Sequence, residues 1–245
     1  MLSERSKWLQ ERCFELAAAK YPTHFTEDYH HAALHRFADL PHGEKLARAM
    51  AYAITNQNIW AYKEDRIGGR IYYNDGPVTE VCPGLDYKAE GREKFLAEYP
   101  EAKELMENQL IAETAFGHIT WNFDQILSLG IEGFRAKVQA ALENAKDEKA
   151  VEFCGGVLIL LDALQDFNDR HIAAYEALGC HELARRMKKV PRFPCETFEE
   201  AVQAFFMQHI VVMRENPFGG NGPGWLDRHL WPYLEKDLAD GRCTL

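Results

Sequence analysis

The sequence has no excess of positive charge and no long apolar run. Its 38 acidic residues outnumber its 28 lysines and arginines, which gives a formal net charge of −10 at pH 7. Binding to nucleic acid or to anionic membrane surfaces needs clustered cations, so this balance disfavours both as partners. No apolar stretch approaches the roughly 20 residues that span a bilayer, and the first residues lack the apolar core of a secretory signal. We therefore expect a cytoplasmic protein.

Metal-binding patterns of cysteine and histidine are also missing. The six cysteines are scattered, without a CxxC pair or the short Cys/His spacing of a zinc site. His31 and His35 stand one helical turn apart, but no third ligand accompanies them, and a solvated polar face explains them better. We expect free thiols, no metal, and no cofactor held by this chain.

Helical periodicity runs through most of the sequence. Apolar residues recur at three- and four-residue spacing, and the 47% hydrophobic content suffices for a substantial core. Residues 67–74 are the exception and predict a short extended segment that ends in a turn. The sequence therefore predicts a mainly α fold with one or two short strands.

Capping signals mark two of the helix starts. Asn122 with Gln125, and Thr197 with Glu200, have the spacing of a capping box, in which each side chain accepts from the other's backbone N–H. We predict that a helix begins at each of these points.

The end of the chain has an unusual concentration of glycine. A helix predicted over residues 197–213 is followed by a glycine-rich break, residues 216–224, and then by a second helix over residues 225–239. Glycines there let the backbone approach another group closely. The break has neither the Lys-Ser/Thr pair of a phosphate-binding loop nor a preceding strand, so nucleotide binding is not predicted.

His118 is the best isolated candidate for a functional side chain. It follows Gly117 in a non-helical bridge close ahead of a helix start, where a side chain can project into a cavity. A buried structural histidine is the alternative that the pattern leaves open.

Three stretches of the sequence resemble the glycyl radical enzymes, the pyruvate formate-lyase-like group. They are residues 117–133 (GHITWNFDQILSLGIEG), 194–206 (PCETFEEAVQAFF) and 223–237 (PGWLDRHLWPYLEKD). Residues 44–68 are similar to the N-terminal region of the same family. The resemblance thus runs in order along nearly the whole chain.

This resemblance implies a fold and a chemistry. Residues 1–245 would form an incomplete domain, the helical N-terminal part of a ten-stranded α/β barrel. The implied activity is that of an oxygen-sensitive radical lyase, dehydratase, decarboxylase or formate C-acetyltransferase-like enzyme. In a full-length relative, an activating enzyme that uses S-adenosylmethionine installs the glycyl radical. The family's finger-loop cysteine and its radical-bearing segment both lie beyond the point that matches Leu245, so we expect no catalytic residue in this chain.

The resemblance also implies substrate-binding residues. His118 matches a histidine that faces the substrate in dehydratase-type relatives. Gly219 and Gly220 stand where such relatives often have a His-Ser pair, and Phe218 beside them can supply an apolar wall. The change to glycine removes two hydrogen-bonding side chains and opens space, which favours a bulkier or aromatic substrate over a small polyol. A purely structural turn is the alternative.

Two functions remain open on the sequence. The chain is either the N-terminal portion of a glycyl radical enzyme, not competent alone, or a non-catalytic helical domain derived from that family that binds a partner or ligand. In the first case, we expect its partners to be the missing C-terminal portion or another copy of itself, together with the activating enzyme.

Overall fold

The fold is built from helices of very different lengths. The computed structural model describes residues 2–18, 32–56, 58–69, 93, 96–108, 110, 121–215 and 222–244. Its α-helices are α1 (Glu4–Ala18), α2 (His42–Thr55), α3 (Ala102–Glu107), α4 (Phe123–Glu143), α5 (Glu148–Ala177), α6 (His181–Lys189), α7 (Phe198–Glu215) and α8 (Leu226–Ala239), and a π-helical turn covers Ala32–Arg36. The described residues contain no strand. Of the extended segment predicted at residues 67–74, residues 70–74 lie outside the described residues. None of the described helices is long and apolar enough to cross a membrane.

Helix α5 is the central element of the packing. Helices α2, α4 and α6 each pack against it, and α7 contacts α2, α4, α6 and α8. Gly156 of α5 allows α2 to come close, because a Cβ there would lie 3.2 Å from the Cβ of Ala47. The largest core cluster lies between these helices and includes Met50, Phe167 and Tyr175.

A second core cluster fixes the positions of α4, α7 and α8. It contains Leu127, Val190, Cys195, Ala201 and Ala204, with Phe205, Leu230 and Tyr233 packed against it. The loop before α7 is held by backbone hydrogen bonds to α4, from Ile131 N–H to the Pro191 carbonyl at 2.9 Å and from Cys195 N–H to the Leu127 carbonyl at 2.9 Å. This packing brings the first turns of α4 and α8 to the same helix, α7.

The irregular segment at residues 58–69 is held on α7 by one buried side chain. Gln203 accepts from the Gly68 N–H at 2.6 Å and donates to the Gly68 carbonyl at 2.7 Å. A Cβ on Gly68 would lie 2.1 Å from the sulfur of Met187. A larger residue at position 68 would therefore have to displace the buried Met187 side chain.

The two predicted capping boxes have different outcomes. At the start of α7 the box is confirmed, since the Glu200 N–H donates to Thr197 Oγ1 at 3.3 Å and the Thr197 N–H donates to Glu200 Oε2 at 3.3 Å. Helix α4 does begin after Asn122, but the Asn122 side chain makes no capping hydrogen bond. Its ψ of 73° lies well short of the extended value that directs a capping side chain toward the first helical amides.

Candidate substrate-facing site at the starts of α4 and α8

The four predicted substrate-binding residues are His118, Phe218, Gly219 and Gly220, and all lie outside the described residues. Their two segments, residues 111–120 and 216–221, lead into α4 and α8 respectively. The described residues therefore show where each segment joins the helices, and the site is built here from those two helix starts.

The first turns of α4 and α8 are in direct contact. The His229 Nδ1 lies 2.6 Å from Asp124 Oδ1, and the His229 side chain is only 11% exposed whereas that of Asp124 is 60% exposed. The His229 ring also meets the ring of Phe123 edge to face, with the ring centroids 5.8 Å apart. A carboxylate in the first turn of α4 is itself favourable, because the helix N-terminus carries partial positive charge.

Aromatic rings continue from this contact onto α7. Phe123 is fully buried, and its ring centroid lies 4.5 Å from that of Phe205. The Phe205 ring is parallel to the imidazole of His209, with the centroids 6.0 Å apart. We refer to Phe123, Phe205, His209 and His229 as the aromatic cluster. It forms an apolar base between the helices from which the two predicted site segments emerge.

Three buried polar atoms, on α7 and just before α4, make no hydrogen bond to the described residues. Trp121 Nε1, Gln208 Oε1 and His209 Nδ1 are buried and have no partner among the described residues. Burial lowers the pKa of His209, so its imidazole is neutral at pH 7 and its two ring nitrogens comprise one donor and one acceptor. The third and fourth turns of α7 can therefore receive a polar group from elsewhere.

Nucleophilic and metal chemistry find little support in the described part of the chain. Burial raises the pKa of the Cys195 thiol to about 12, so it is not a thiolate at neutral pH. Burial also raises the pKa of Tyr233 to about 12. Among the described residues, no three His, Cys, Asp or Glu side chains are grouped to hold a metal ion. His35 is exposed, and His31 lies outside the described residues.

The fold is that of the helical part of the glycyl radical enzymes. The whole chain superposes with a TM-score of 0.72 on 36% of a structure described for 1,2-propanediol dehydration in Roseburia inulinivorans, at 22% identity. A glycyl radical enzyme from Archaeoglobus fulgidus matches 89% of the chain with a TM-score of 0.69 at 18% identity, over 35% of its own length. The model of the pyruvate formate lyase-like family matches residues 78–245. The chain belongs to this family, which confirms the resemblance.

Sequence relatives point to more than one reaction within the family. Isethionate sulfite-lyase of Nitratidesulfovibrio vulgaris is 28% identical, over 60% of this chain and 20% of that protein. Indoleacetate decarboxylase of Tractidigestivibacter scatoligenes is 41% identical over 63 residues, which are 26% of this chain and 7% of that protein. The chain thus spans about a fifth of the sulfite-lyase and about a third of the solved structures.

Sequence reasoning missed the contact between Asp124 and His229. Both residues lie inside stretches that carry the family resemblance, residues 117–133 and 223–237, but they are 105 positions apart. No spacing rule within one helix joins residues at that distance. The only available signal was that both stretches lie at predicted helix starts beside predicted site segments.

Proposed function

We propose that residues 1–245 form the N-terminal helical portion of a glycyl radical enzyme. In this proposal the chain supplies walls of the substrate pocket and is not competent alone. The radical-bearing segments come from polypeptide outside these residues. The observation that carries the proposal is the superposition of the whole chain on 36% of one solved structure, with a TM-score of 0.72.

Exposed apolar side chains at the start of α8 and along it support the same proposal. Trp225, the N-cap of α8, is 70% exposed, Leu226 37% and Trp231 49%, while Leu230 and Tyr233 pack into the second core cluster. In the proposed enzyme, further polypeptide covers these exposed side chains.

The proposed substrate is an aromatic carboxylate, and the proposed reaction is a radical decarboxylation or related lyase step. We place His118, Phe218, Gly219 and Gly220 in the pocket wall, as the family resemblance implies. Glycines at 219 and 220 leave room for a ring, and Phe218 offers an apolar contact. The 41% identity with part of indoleacetate decarboxylase favours this class over a small polyol.

A glycyl radical, installed by an S-adenosylmethionine-dependent activating enzyme, supplies hydrogen-atom abstraction in this family. The fully buried ring of Phe123 in the aromatic cluster is consistent with the dry surroundings that such chemistry needs. Because the radical is oxygen-sensitive, we propose that the protein acts in an anaerobic cytoplasm.

The test begins with the encoding DNA beyond the codon for Leu245. We expect the reading frame, or a neighbouring gene, to encode the finger-loop cysteine and the radical-bearing glycine segment. The chain purified anaerobically with that polypeptide, its activating enzyme and S-adenosylmethionine should give the electron paramagnetic resonance signal of a glycyl radical. A monodisperse chain with no such coding sequence and no signal would instead support the non-catalytic binding domain.

His118→Ala tests the proposed pocket wall. We expect the variant to keep the unfolding midpoint of the parent chain while weakening substrate binding in the assembled enzyme. Strong unfolding of the variant would support the buried structural histidine instead.

A further inference from the structure

We propose that a groove between the starts of α2 and α5 is a docking site for a separate partner protein that presents a segment with apolar and basic side chains. The groove has a volume of about 720 Å³ and is lined by residues of both helices and of the turn that joins α4 to α5. Its apolar lining includes Pro41, Val151 and Ile159. The proposal does not depend on the proposed function, because the groove lies away from the starts of α4 and α8.

The two helices that form the groove are held together in parallel. Near their starts, the Gly43 N–H of α2 donates to Glu152 Oε1 of α5 at 2.7 Å. Near the end of α2, Arg170 of α5 donates to the Thr55 carbonyl. Because contacts at both ends fix this helix pair, the groove beside their starts is already formed before a partner binds.

Gly155 lines the groove and has no packing role within the described residues. A glycine inside a helix lowers stability relative to alanine, so its presence there needs a reason. The next residue, Gly156, has one, because α2 comes close to it at Ala47. A Cβ on Gly155 would instead meet no neighbouring element of the described residues within 4 Å. The backbone at Gly155 is therefore open to a close approach from outside the chain.

Apolar side chains flank this glycine on the same stripe of α5. Val151 and Ile159 stand one helical turn before and one turn after Gly155, and all three line the groove. Val151 is 49% exposed, so its apolar surface remains in contact with water in the chain alone. This stripe suits the apolar side chains of a docked segment.

The charges around the groove favour a basic partner. Four carboxylates and one lysine line it, which gives a formal net charge of −3; they are Glu44, Lys146, Asp147, Glu148 and Glu152. Asp147 and Glu152 each use one oxygen to cap a helix start. Glu44 pairs with Arg48 of its own helix. Glu148 is exposed in the first turn of α5, where it can pair with a lysine or arginine of the partner. A second copy of this chain, with its net charge of −10, would instead bring like charges together.

Fluorescence anisotropy with three labelled peptides tests the groove. The first is an amphipathic helical peptide with leucine on one face and lysine on the other. The second has glutamate in place of lysine, and the third has glutamine in place of leucine. We expect the chain to bind the first peptide at least about tenfold more tightly than either of the others, because only the first matches both the apolar stripe and the carboxylates.

Matched variants locate the binding on the groove. Val151→Ala should weaken binding of the leucine–lysine peptide, whereas Phe153→Ala, on the same helix but outside the groove lining, should not. Glu148→Gln should weaken it as well, whereas Glu182→Gln, in the first turn of α6, should not.

Gly155→Ala separates docking from stability. This variant should raise the midpoint of urea unfolding, because alanine is the better helix former. It should also weaken peptide binding about tenfold, since the added methyl group blocks the close approach. A residue with a purely structural role would not change stability and binding in opposite directions.

Several results would overturn the proposal. Equal binding of the three peptides, or equal effects of Val151→Ala and Phe153→Ala, would show that the groove does not select the ligand. Self-association of the chain that Val151→Ala abolishes, measured by sedimentation, would assign the groove to a second copy. If the polypeptide expected beyond Leu245 is found, adding it should leave peptide binding unchanged, and displacement of the peptide would show that this polypeptide covers the groove instead of a separate partner.

Discussion

Gln203 should contribute much more to stability than its neighbour on the same helix, Gln208. Gln203 is 1% exposed and satisfies both backbone polar groups of buried Gly68, with hydrogen bonds of 2.6 and 2.7 Å. The Gln208 side-chain oxygen is buried without a partner among the described residues. The substitutions Gln203→Met and Gln208→Met both remove a side-chain amide. At position 203 the amide is hydrogen-bonded, whereas at position 208 its oxygen has no partner among the described residues.

The expected difference follows from the cost of unsatisfied polar groups. Gln203→Met leaves one N–H and one carbonyl of Gly68 buried without partners, at about 1–3 kcal/mol for each. We expect a loss of about 2–6 kcal/mol, a large share of the roughly 5–15 kcal/mol of a typical domain. Gln208→Met removes an oxygen that is already buried without a partner among the described residues, so it should not lower the stability and should raise it by up to about 1–3 kcal/mol. Methionine and glutamine have similar helix propensities, so the change in helix propensity contributes little to the stability of either variant.

Urea unfolding of the three proteins measures both effects. The midpoint of Gln203→Met should fall with the slope unchanged, and that of Gln208→Met should equal or exceed that of the parent. Hydrogen exchange at the Gly68 amide should accelerate in Gln203→Met alone, since that amide loses its acceptor. Equal midpoints for the two variants would refute the assignment of the Gly68 contact as a main anchor of the 58–69 segment.

Three further predictions concern α7, the glycines and acid stability. Thr197→Ala should cost about 1 kcal/mol through loss of the cap, and Thr197→Ser should recover most of it. Gly130→Ala should cost about 3 kcal/mol or more, because φ is +65° and a Cβ would lie 2.5 Å from the Phe193 carbonyl carbon. Gly179→Ala, at φ +76° but in open space, should cost only about 1 kcal/mol. Burial opposes the charge of Asp237, but hydrogen bonds from the Phe198 N–H and Arg242 outweigh it and lower its pKa. Its stabilisation is therefore present above about pH 4 and lost on acidification, and Asp237→Asn should flatten that part of the stability profile.

Each of these has a clear contrary result. An unchanged melting curve for Thr197→Ala would contradict the capping role, and equal costs at positions 130 and 179 would contradict the steric argument. If Asp237→Asn loses stability below pH 4 as steeply as the parent, the carboxylate is not the group that titrates there.

The helices that the sequence predicts correctly have local causes. The capping box of Thr197 and Glu200 acts within one turn, and the predicted starts and ends of α7 and α8 lie close to the observed ones. Gly241 follows the end of α8 with φ +70°, and the Arg242 N–H donates to the Asp237 carbonyl at 2.8 Å, a local glycine stop signal. Signals of this kind depend on neighbouring residues alone, so they can be read from one sequence.

Other features depend on neighbours that are distant in the chain. Helix α6 is short and strongly charged and is not among the predicted helices, although Leu183, Ala184 and Met187 bury one side of it. The missing cap at Asn122 reflects the path of the chain into α4, which residue types do not specify. The candidate site residues His118, Phe218, Gly219 and Gly220 remain predictions, because they lie outside the described residues.

By itself, the sequence determined the helical class, most helix positions and the family resemblance, since these follow from local periodicity, capping and short motifs. Only the tertiary structure decided which residues meet across the chain. It brought Gln203 to Gly68 across 135 positions and His229 to Asp124 across 105. The physical reason is that such contacts are selected by the packing of whole helices around α5 and α7, and no local pattern encodes the outcome of that packing.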